Sequence, residues 1–352
     1  MVAHNFLSQQ NQSILRLPAE WEAQDAILLA WPHQNTDWYP ILDQVTPVYI
    51  ELIQQISRFE TVIIIAPDLV PVRSALKKNG LDSPRIILHR IDTNDTWIRD
   101  FGPLTVYTDH QPVFLDFIFD GWGAKFPATK DNQATGHLYN TGIFDQAKIS
   151  PGHLILEGGS LESDGSGTLL TTTACLLNPN RNPHLTQKEL EVTLSEHLGF
   201  DHFLWLNHGW LAGDDTDSHI DTLARLAPND TICYIKCDDA TDVHYPELKK
   251  MEAQLQQFKT KKGQPFRLIP LPLPQPCYDG TTRLPASYAN FLIINQAVLI
   301  PTYNDPADSR ALQILGKVFP ERKIIGIDCR TLIKQHGSLH CITMQLPRGV
   351  LQ

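Results

Sequence analysis

Short apolar runs recur along the whole chain, and this rhythm sets the strongest limit on its fold. Most runs are four to eight residues long and rich in β-branched side chains, which is typical of strands. The predicted strands are Asp25–Trp31, Thr61–Pro67, Arg85–His89, Leu104–Tyr107, Val113–Phe119, Leu154–Leu156, Thr168–Thr172, Phe203–Leu206, Ile232–Ile235, Phe266–Leu271, Phe291–Ile294, Val298–Pro301, Lys323–Ile327 and Ile342–Leu346.

Amphipathic stretches lie between these runs and predict helices. The first stretch places Tyr49, Leu52, Ile53 and Ile56 on one face, at the spacing of a core-facing helix. The predicted helices are Thr46–Arg58, Thr186–Leu198, Tyr245–Phe258 and Asp308–Phe319. Strand pairs followed by a helix recur about every 60 to 70 residues, which indicates an α/β fold built as a cyclic repeat of small units.

The chain shows no charge block, low-complexity tract or linker that would divide it. Prolines are dispersed, and only the segment 268–276 is locally dense, which predicts an exposed connection or an edge strand. We therefore predict a single catalytic domain over residues 1–352.

The charge balance limits the classes of partner. A net charge of -10 argues against nucleic acid or an anionic membrane as the main partner and is compatible with a small cationic substrate. No apolar window is long enough to span a membrane, and residues 1–21 lack the regions of a signal peptide. The six cysteines form no CxxC pair, so free thiols in a reducing cytoplasm are expected.

Two polar segments beside predicted strands carry candidate site residues. In the segment 94–103, Trp97, Arg99 and Asp100 would point into a cleft, unless the segment is only a surface loop with an Arg–Asp pair. The segment 213–221 holds four aspartates and His219. A calcium loop is excluded there, because Ile220 and Leu226 stand where glycine and glutamate are needed.

Two further interpretations of the segment 213–221 stay open. A zinc site from His219 and His208 would lack the HExxH motif and paired cysteines. A helix over His219–Leu226, capped by Asp217 or Ser218, would still allow His219 to work at a site.

A third polar segment, 337–347, contains a candidate nucleophile. Cys341 follows a Gly–Ser turn and a histidine at a predicted strand start, where a side chain is held rigidly and a neighbouring positive charge would favour the thiolate. The alternative is an inert buried cysteine. No GxSxG, GxxxxGK[ST] or GxGxxG motif competes with this interpretation.

Together these segments resemble the agmatine deiminase and Porphyromonas-type peptidylarginine deiminase family of the guanidino-group-modifying (pentein) superfamily. The resemblance implies a five-bladed α/β propeller of ββαβ units with pseudo-fivefold symmetry around a central site. The matching segments are Pro18–Glu22, Leu29–Pro32, Asp95–Pro103, Phe119–Phe126, Leu156–Ser160, Asp164–Gly165, Leu177–Pro183, Asp214–Asp221, Pro285–Phe291 and His340–Thr343.

The resemblance also implies roles for single residues. Cys341 matches the family's nucleophile and His219 its general acid/base. Asp100 and Asp221 match the two carboxylates that hold a guanidinium. The residues that match positions lining the site are Trp97 and Glu157.

Two positions depart from the pattern of agmatine-specific members. This chain has Phe101 in RDFGP where those members usually have threonine, and Thr222 in HIDT where they usually have asparagine. These departures bear on which guanidine is the substrate, whereas the four chemical residues are intact.

The predicted activity is hydrolysis of agmatine and water to N-carbamoylputrescine and ammonia, without metal or cofactor, as in putrescine biosynthesis. Alternatives are deimination of peptidyl arginine to citrulline, or amidino transfer to an amine. A non-catalytic relative should have lost Cys341 or His219, and both are present. Asp215 is predicted to face the distal amine of agmatine, the alternative being an aspartate that faces solvent or caps a helix. The sequence does not indicate which oligomeric state the protein adopts.

Overall fold

The structure is a computed structural model that describes residues 15–144 and 147–351. Most of the N-terminal segment in which we found no signal peptide therefore lies outside the described residues. In the described ranges, no helix combines the length and apolarity that crossing a membrane requires.

Five sheets share one pattern of strand pairing. In each sheet two antiparallel strands are followed by a helix and by a strand parallel to the second one. We number the sheets by the chain position of their first strand. They are sheet 1 (Leu104–Thr108, Gln111–Ile118, Lys148–Ile155), sheet 2 (Glu162–Ser163, Thr168–Thr172, His202–Leu206), sheet 3 (Ala224–Ala227, Thr231–Lys236, Arg267–Pro272), sheet 4 (Leu292–Ile294, Ala297–Thr302, Lys323–Asp328) and sheet 5 (Met344–Pro347, Gln24–Ala30, Thr61–Ala66).

Two further strands extend these sheets, and one hairpin lies apart from them. Leu15–Arg16 pairs with the first strand of sheet 1, and Ile86–Arg90 adds a parallel strand to sheet 5. A separate hairpin consists of Cys277–Asp279 and Thr282–Leu284. Sheet 5 thus joins strands from the two ends of the described chain.

One long helix connects the second and third strands of each sheet. The connecting helices are Asp131–Tyr139, Gln187–Leu198, Tyr245–Leu255, Asp308–Val318 and Leu42–Ile56, in the order of sheets 1 to 5. The other helical segments are Leu69–Lys78, the short Ile98–Phe101, Gly121–Ala124 and Thr173–Leu176, and the 3-10 turns Tyr39–Ile41, Gly158–Ser160, Ile220–Thr222 and Leu332–Gln335.

The helix Gln187–Leu198 shows how local sequence sets these elements. Thr186 and Glu189 form a capping box at its start, and Gly199 ends it at a φ of 76°. Leu190, Leu194 and Leu198 face the core, as the helical period requires. A cap of this kind contributes about 1 kcal/mol, so burial of the apolar face supplies most of the stability.

Most predicted strands and helices are confirmed, and two predictions near the site are wrong. The last strand begins at Met344 rather than Ile342, so Cys341 lies in the turn before it. The segment 219–226 forms a 3-10 turn and then the strand Ala224–Ala227 rather than a helix. That strand forms a hairpin with the following strand, Thr231–Lys236, and this pairing overrides the helix signal of the segment.

The proline-dense segment is an edge strand, which was one of its two predicted forms. Arg267–Pro272 pairs on one side with the middle strand of sheet 3 and has no strand on its other side among the described residues. Proline lacks the backbone N–H that a residue of a central strand must donate. An edge strand tolerates proline because its open side needs no such donor.

Candidate active site

A cavity of about 240 Å³ lies where the turns that precede the first strands converge. It brings together six of the seven predicted site residues. Those in its lining are Trp97, Asp100, Asp215, His219, Asp221 and Cys341. The seventh, Glu157, lies directly behind His219, whose Nε2 is 3.7 Å from its Oε2.

Each sheet contributes one polar side chain from the same place, the residues just before its first strand. From sheet 1 to sheet 5 these side chains are Asp100, Glu157, Asp221, Asn290 and Cys341. All five are buried, although cavities in proteins are more often lined by apolar groups. The repeated strand pattern therefore builds the site by placing one functional group per unit.

The Cys341 sulfur lies at the floor of this cavity. Its Sγ is 3.7 Å from Asp221 Oδ2 and 3.2 Å from Asn290 Nδ2. Burial raises the pKa of the thiol well above its usual value, and the charges of Asp221 and Asp100 raise it further. These effects favour the neutral thiol, and a bound cation would favour the thiolate.

The two carboxylates differ in how they are held. Asp100 accepts hydrogen bonds from Gly159 N at 2.9 Å and from Trp122 Nε1 at 3.0 Å, and burial raises its pKa to about 6. Asp221 Oδ2 lies 2.7 Å from His340 Nδ1, whereas its Oδ1 has no hydrogen-bond partner among the described residues. Burial opposes ionisation of Asp221, but the hydrogen bond from His340 and the charges of His340, His219 and Arg225 together lower the pKa.

Gly159 is the close-approach point around which three of these groups meet. A Cβ at this position would lie 2.6 Å from His219 Nδ1, 2.8 Å from Asp100 Oδ1 and 3.2 Å from Asp221 Oδ2. Contacts this short are not tolerated, so any side chain here would push the site apart. The Gly–Gly pair in the Leu156–Ser160 segment is thereby explained.

His219 is a buried imidazole between two acids. Its Nδ1 lies 3.6 Å from Asp100 Oδ1, and Glu157 lies on its other side. Burial alone would lower its pKa, but the charge of Asp100, with further help from Glu157, raises it well above the usual value. These interactions favour the protonated imidazole, and in that form His219 can act as an acid.

Behind His219, Glu157 is held by a buried arginine. Arg181 Nε donates to both carboxylate oxygens at 2.9 and 2.8 Å, which helps to keep the pKa of Glu157 low against the effect of burial. Ligand atoms of Glu157, Cys175 and His219 lie within 4.8 Å of one another, a spacing that a metal could bridge. Arg181 already neutralises the carboxylate there, which disfavours a second cation.

The ring of His340 lies between two carboxylates. Its Nδ1 faces Asp221 and its Nε2 lies 2.7 Å from Glu20 Oε1 and 3.1 Å from Arg225 Nη2. Burial lowers the pKa of His340, and Arg225 and Arg99 lower it further. With one ring nitrogen on Asp221 and the other on Glu20, His340 orients the Asp221 carboxylate.

Two loops with unusual backbone conformation border the cavity. Gly121, Trp122, Gly123 and Ala124 all have positive φ, and so do Asp217 and Ser218 just before His219. Left-handed conformations at non-glycine residues cost free energy and gather at functional sites. Lys125 ties the two loops together, because its Nζ lies 2.7 Å from the Asp215 carbonyl oxygen and 2.9 Å from Asp217 Oδ1.

The rim of the cavity is acidic. Asp37, Asp95 and Asp214 join Asp215 in its lining, and burial raises the pKa of Asp95 to about 7 and also raises that of Asp215. Since no helix follows the segment 213–221, the helix-cap alternative for Asp215 is wrong.

The two positions that depart from the family pattern have different surroundings. Phe101 is buried outside the cavity, with its ring 5.9 Å from that of Phe119. Thr222 lines the cavity, and its Oγ1 donates to the His219 carbonyl oxygen at 2.9 Å. Of the two, Thr222 is the position that can influence substrate choice.

Sequence analysis missed the roles of Asn290 and Trp122. Asn290 stands in the segment 285–291, which we matched to the family without assigning a role. The available signal was positional, because a polar residue directly before a buried strand also marks Asp100, Asp221 and Cys341. Trp122 carried no such signal, since its indole reaches Asp100 only through the left-handed turn.

Comparisons with known proteins agree with this geometry. The sequence profile of the Porphyromonas-type peptidyl-arginine deiminase family matches residues 16–347. Agmatine deiminases from Stutzerimonas stutzeri (strain A1501) and Pseudomonas aeruginosa (strain UCBPP-PA14) are 32% and 33% identical to this chain. In both cases the alignment covers 94% of this chain and 95% of the relative.

Solved structures show the same mixed α/β fold. A Cys-to-Ser variant of agmatine deiminase from C. jejuni, with substrate bound, superposes with a TM-score of 0.89 and 38% identity over 96% of this chain and 98% of that chain. A protein from Porphyromonas gingivalis assigned as an arginine deiminase superposes with a TM-score of 0.90 and is 46% identical. The match covers 96% of this chain and 100% of that chain. Agmatine deiminase from Enterococcus faecalis superposes with a TM-score of 0.85 and is 27% identical. The match covers 96% of this chain and 97% of that chain.

Proposed function

Because this chain belongs to the Porphyromonas-type peptidyl-arginine deiminase family, we propose that it hydrolyses agmatine to N-carbamoylputrescine and ammonia. The observation that carries the proposal is a buried sulfur beside two carboxylates. Cys341 Sγ lies 3.7 Å from Asp221, and Asp221 Oδ1 has no partner among the described residues. An unpaired buried carboxylate oxygen is costly, and a planar cation would satisfy it.

The charge of the cavity favours a substrate with two positive charges. Its lining contains six aspartates, and no lysine or arginine from the described ranges joins them. Free arginine carries a carboxylate that this lining would repel. Agmatine carries a guanidinium at one end and an ammonium at the other, so both ends suit an acidic cavity. We assign the guanidinium to Asp100 and Asp221, Trp97 to the wall beside it, and the ammonium to Asp215 at the rim.

Binding prepares the nucleophile. The two carboxylates hold the guanidinium plane and leave one face of its central carbon open to Cys341. The bound cation offsets the charges of Asp221 and Asp100 that raise the thiol pKa, so the thiolate forms where the substrate already lies.

The chemistry then proceeds in two steps. The thiolate attacks the central carbon, protonated His219 donates to the leaving nitrogen, and ammonia departs from a thiouronium adduct on Cys341. Neutral His219 next takes a proton from water, and the resulting hydroxide attacks the adduct carbon. The C–S bond breaks, the proton of the added hydroxyl group passes to the sulfur, and N-carbamoylputrescine leaves. Glu157 lies 3.7 Å from His219 Nε2 and stabilises its protonated form.

We also propose that the five sheets form a closed five-bladed propeller within one domain that extends over residues 1–352. The repeated ββαβ order supports this arrangement, and so does the pairing of the Met344–Pro347 strand with Gln24–Ala30. A single continuous cluster of buried side chains supports one domain. All six cysteines are free, which supports the predicted reducing cytoplasm.

A substrate panel tests the proposed activity. Ammonia release is measured with agmatine, free arginine, a peptide with internal arginine, and guanidines of other chain lengths. We expect the highest kcat/KM for agmatine, with N-carbamoylputrescine as product. Preference for the peptide would move the assignment to peptidyl-arginine deimination. Consumption of agmatine without ammonia, dependent on an added amine, would indicate an amidinotransferase.

A further inference from the structure

His336 lines the cavity, and the reaction described above gives it no role. It lies between the 3-10 turn Leu332–Gln335 and the nucleophile Cys341, is half-buried, and has a φ of 68°. A left-handed conformation costs free energy at a residue with a Cβ, whereas glycine adopts it without that cost. The backbone gains nothing from histidine at this position, so its imidazole is the group that needs an explanation.

A hydrogen bond to the neighbouring loop orients this imidazole. The Nδ1 of His336 lies 2.6 Å from the carbonyl oxygen of Gly213. A carbonyl oxygen only accepts, so Nδ1 must carry the proton, and Nε2 of the neutral ring is left as an acceptor. This Nε2 makes no hydrogen bond to any residue of the ranges that the structure describes. The ring thus has one nitrogen in use and one available to a ligand.

The backbone on both sides of this contact has little freedom to move. Gly213 has a φ of 86°, and a Cβ there would lie 2.3 Å from the carbonyl oxygen of Arg283. A Cβ at Gly337, the residue after His336, would lie 2.1 Å from Trp97 Cζ3. These close approaches fix both the acceptor of the imidazole and the turn that carries it. The position of Nε2 relative to the Trp97 wall is therefore set before substrate binds.

An acidic side chain lies close to this imidazole. His336 and Asp215 both line the cavity. Burial raises the pKa of Asp215, and a charge on His336 would oppose that rise, which reflects how close the two groups are. Asp214 is used within its own turn, because its Oδ1 accepts from Thr216 Oγ1 at 2.5 Å and its Oδ2 from Ser218 N at 2.7 Å. Asp215 and His336 thus offer a carboxylate and a neutral nitrogen acceptor at the rim.

We propose that His336 is a specificity-determining residue whose Nε2 accepts a hydrogen bond from the distal ammonium of agmatine, which Asp215 also contacts. A primary ammonium has three N–H donors and no acceptor, so it can use a carboxylate and an imidazole nitrogen together. A guanidine with an apolar tail leaves Nε2 without a partner, and a site built to hydrogen-bond a substrate group discriminates against an analogue that lacks it. This inference rests on the proposed function, since it names a residue for the amine end of the same substrate.

The test compares two substrates in two variants. Ammonia release gives kcat/KM for agmatine and for a guanidine of equal length with an uncharged apolar tail, in the wild type, His336→Gly and His336→Asn. Glycine and asparagine both tolerate a left-handed backbone, and neither reaches the position of Nε2. The matched control is Lys334→Ala, which changes the same turn but removes a side chain whose Nζ contacts Gln44 Oε1 at 3.1 Å outside the cavity.

We expect kcat/KM for agmatine to fall about tenfold in both variants, because each loses one hydrogen bond to a charged group. The value for the apolar-tailed guanidine should be unchanged, which also shows that the variants are folded and that the nucleophile is in place. The control Lys334→Ala should change neither value.

Equal losses on both substrates would overturn the proposal, because His336 would then only join the two loops through Gly213. An unchanged preference for agmatine in both variants would overturn it as well. Failure of the proposed function is distinguishable from either result. It would appear in the wild type, as absence of ammonia release from agmatine or as preference for a different guanidine.

Discussion

Replacing Asp221 by asparagine is expected to change two rates in opposite directions. The substitution keeps the shape of the side chain and removes its charge. Asp221 Oδ2 lies 3.7 Å from Cys341 Sγ. A unit charge at that distance interacts with a thiolate by about 4 kcal/mol at an effective dielectric constant near 20.

His340 and Arg225 compensate much of the Asp221 charge, so we expect only part of that repulsion to be relieved. Lowering the thiol pKa by about one unit would make alkylation of the substrate-free Asp221→Asn variant about tenfold faster at neutral pH. Hydrolysis of agmatine by the same variant should instead become slower. Losing a charge-assisted hydrogen bond to the guanidinium costs about 1.5–3 kcal/mol, which reduces kcat/KM by roughly 10- to 150-fold.

The assay compares iodoacetamide labelling of Cys341 with ammonia release from agmatine in the same preparations. Asp25→Asn serves as a matched control, because Asp25 accepts from the backbone N–H groups of residues 349–351 rather than facing the cavity. Slower labelling of the Asp221→Asn variant would refute the electrostatic account of the thiol. Unchanged kcat/KM would refute the assignment of Asp221 to the guanidinium.

Five other outcomes follow from the site. Cys341→Ala should abolish ammonia release with the circular dichroism spectrum retained, and residual activity near the wild-type level would exclude covalent catalysis by this residue. Labelling by a haloacetamidine should survive replacement of any other cysteine by alanine, and its loss in one variant would identify a different nucleophile. Those cysteines are Cys175, Cys233, Cys237, Cys277 and Cys329. Burial raises the pKa of Asp100 to about 6, and only the ionised carboxylate binds a cation. KM for agmatine should therefore rise as the pH falls through about 6. A KM that stays constant from pH 7 to 5 would contradict this role of Asp100. Exhaustive treatment with a chelator should leave activity unchanged. A loss of activity that added zinc restores would contradict the metal-free mechanism. Asp215→Asn should reduce kcat/KM for agmatine more than for a guanidine of equal length with a neutral tail, whereas equal losses would remove Asp215 from amine recognition.

The order of strands and helices could be predicted from the sequence because it depends on local apolar periodicity. Thr168–Thr172 has the predicted bounds, and the helix Gln187–Leu198 begins directly after the predicted Thr186, which caps it. The segment 219–226 could not be predicted in this way. Its strand is fixed by pairing with residues 231–234, a contact that local propensity does not encode.

The direction in which side chains point was the other limit of prediction. His340 and Cys341 are adjacent in sequence, yet one contributes to a buried ion network and the other faces the cavity. Phe101 departs from the family pattern beside Asp100 but packs against Phe119 instead of facing substrate. Each outcome depends on turn geometry of a few residues, which neither composition nor periodicity specifies.

The pairing of Met344–Pro347 with Gln24–Ala30 has a consequence for how the enzyme is made. Along the chain the nucleophile follows every other member of the site, and its turn is anchored by a strand whose partner was synthesised hundreds of residues earlier. Closing so long a loop is slow relative to local folding. A growing chain on the ribosome thus holds both carboxylates and the imidazole before it holds Cys341, and a polypeptide terminated ahead of Cys341 lacks the thiol that the proposed reaction needs.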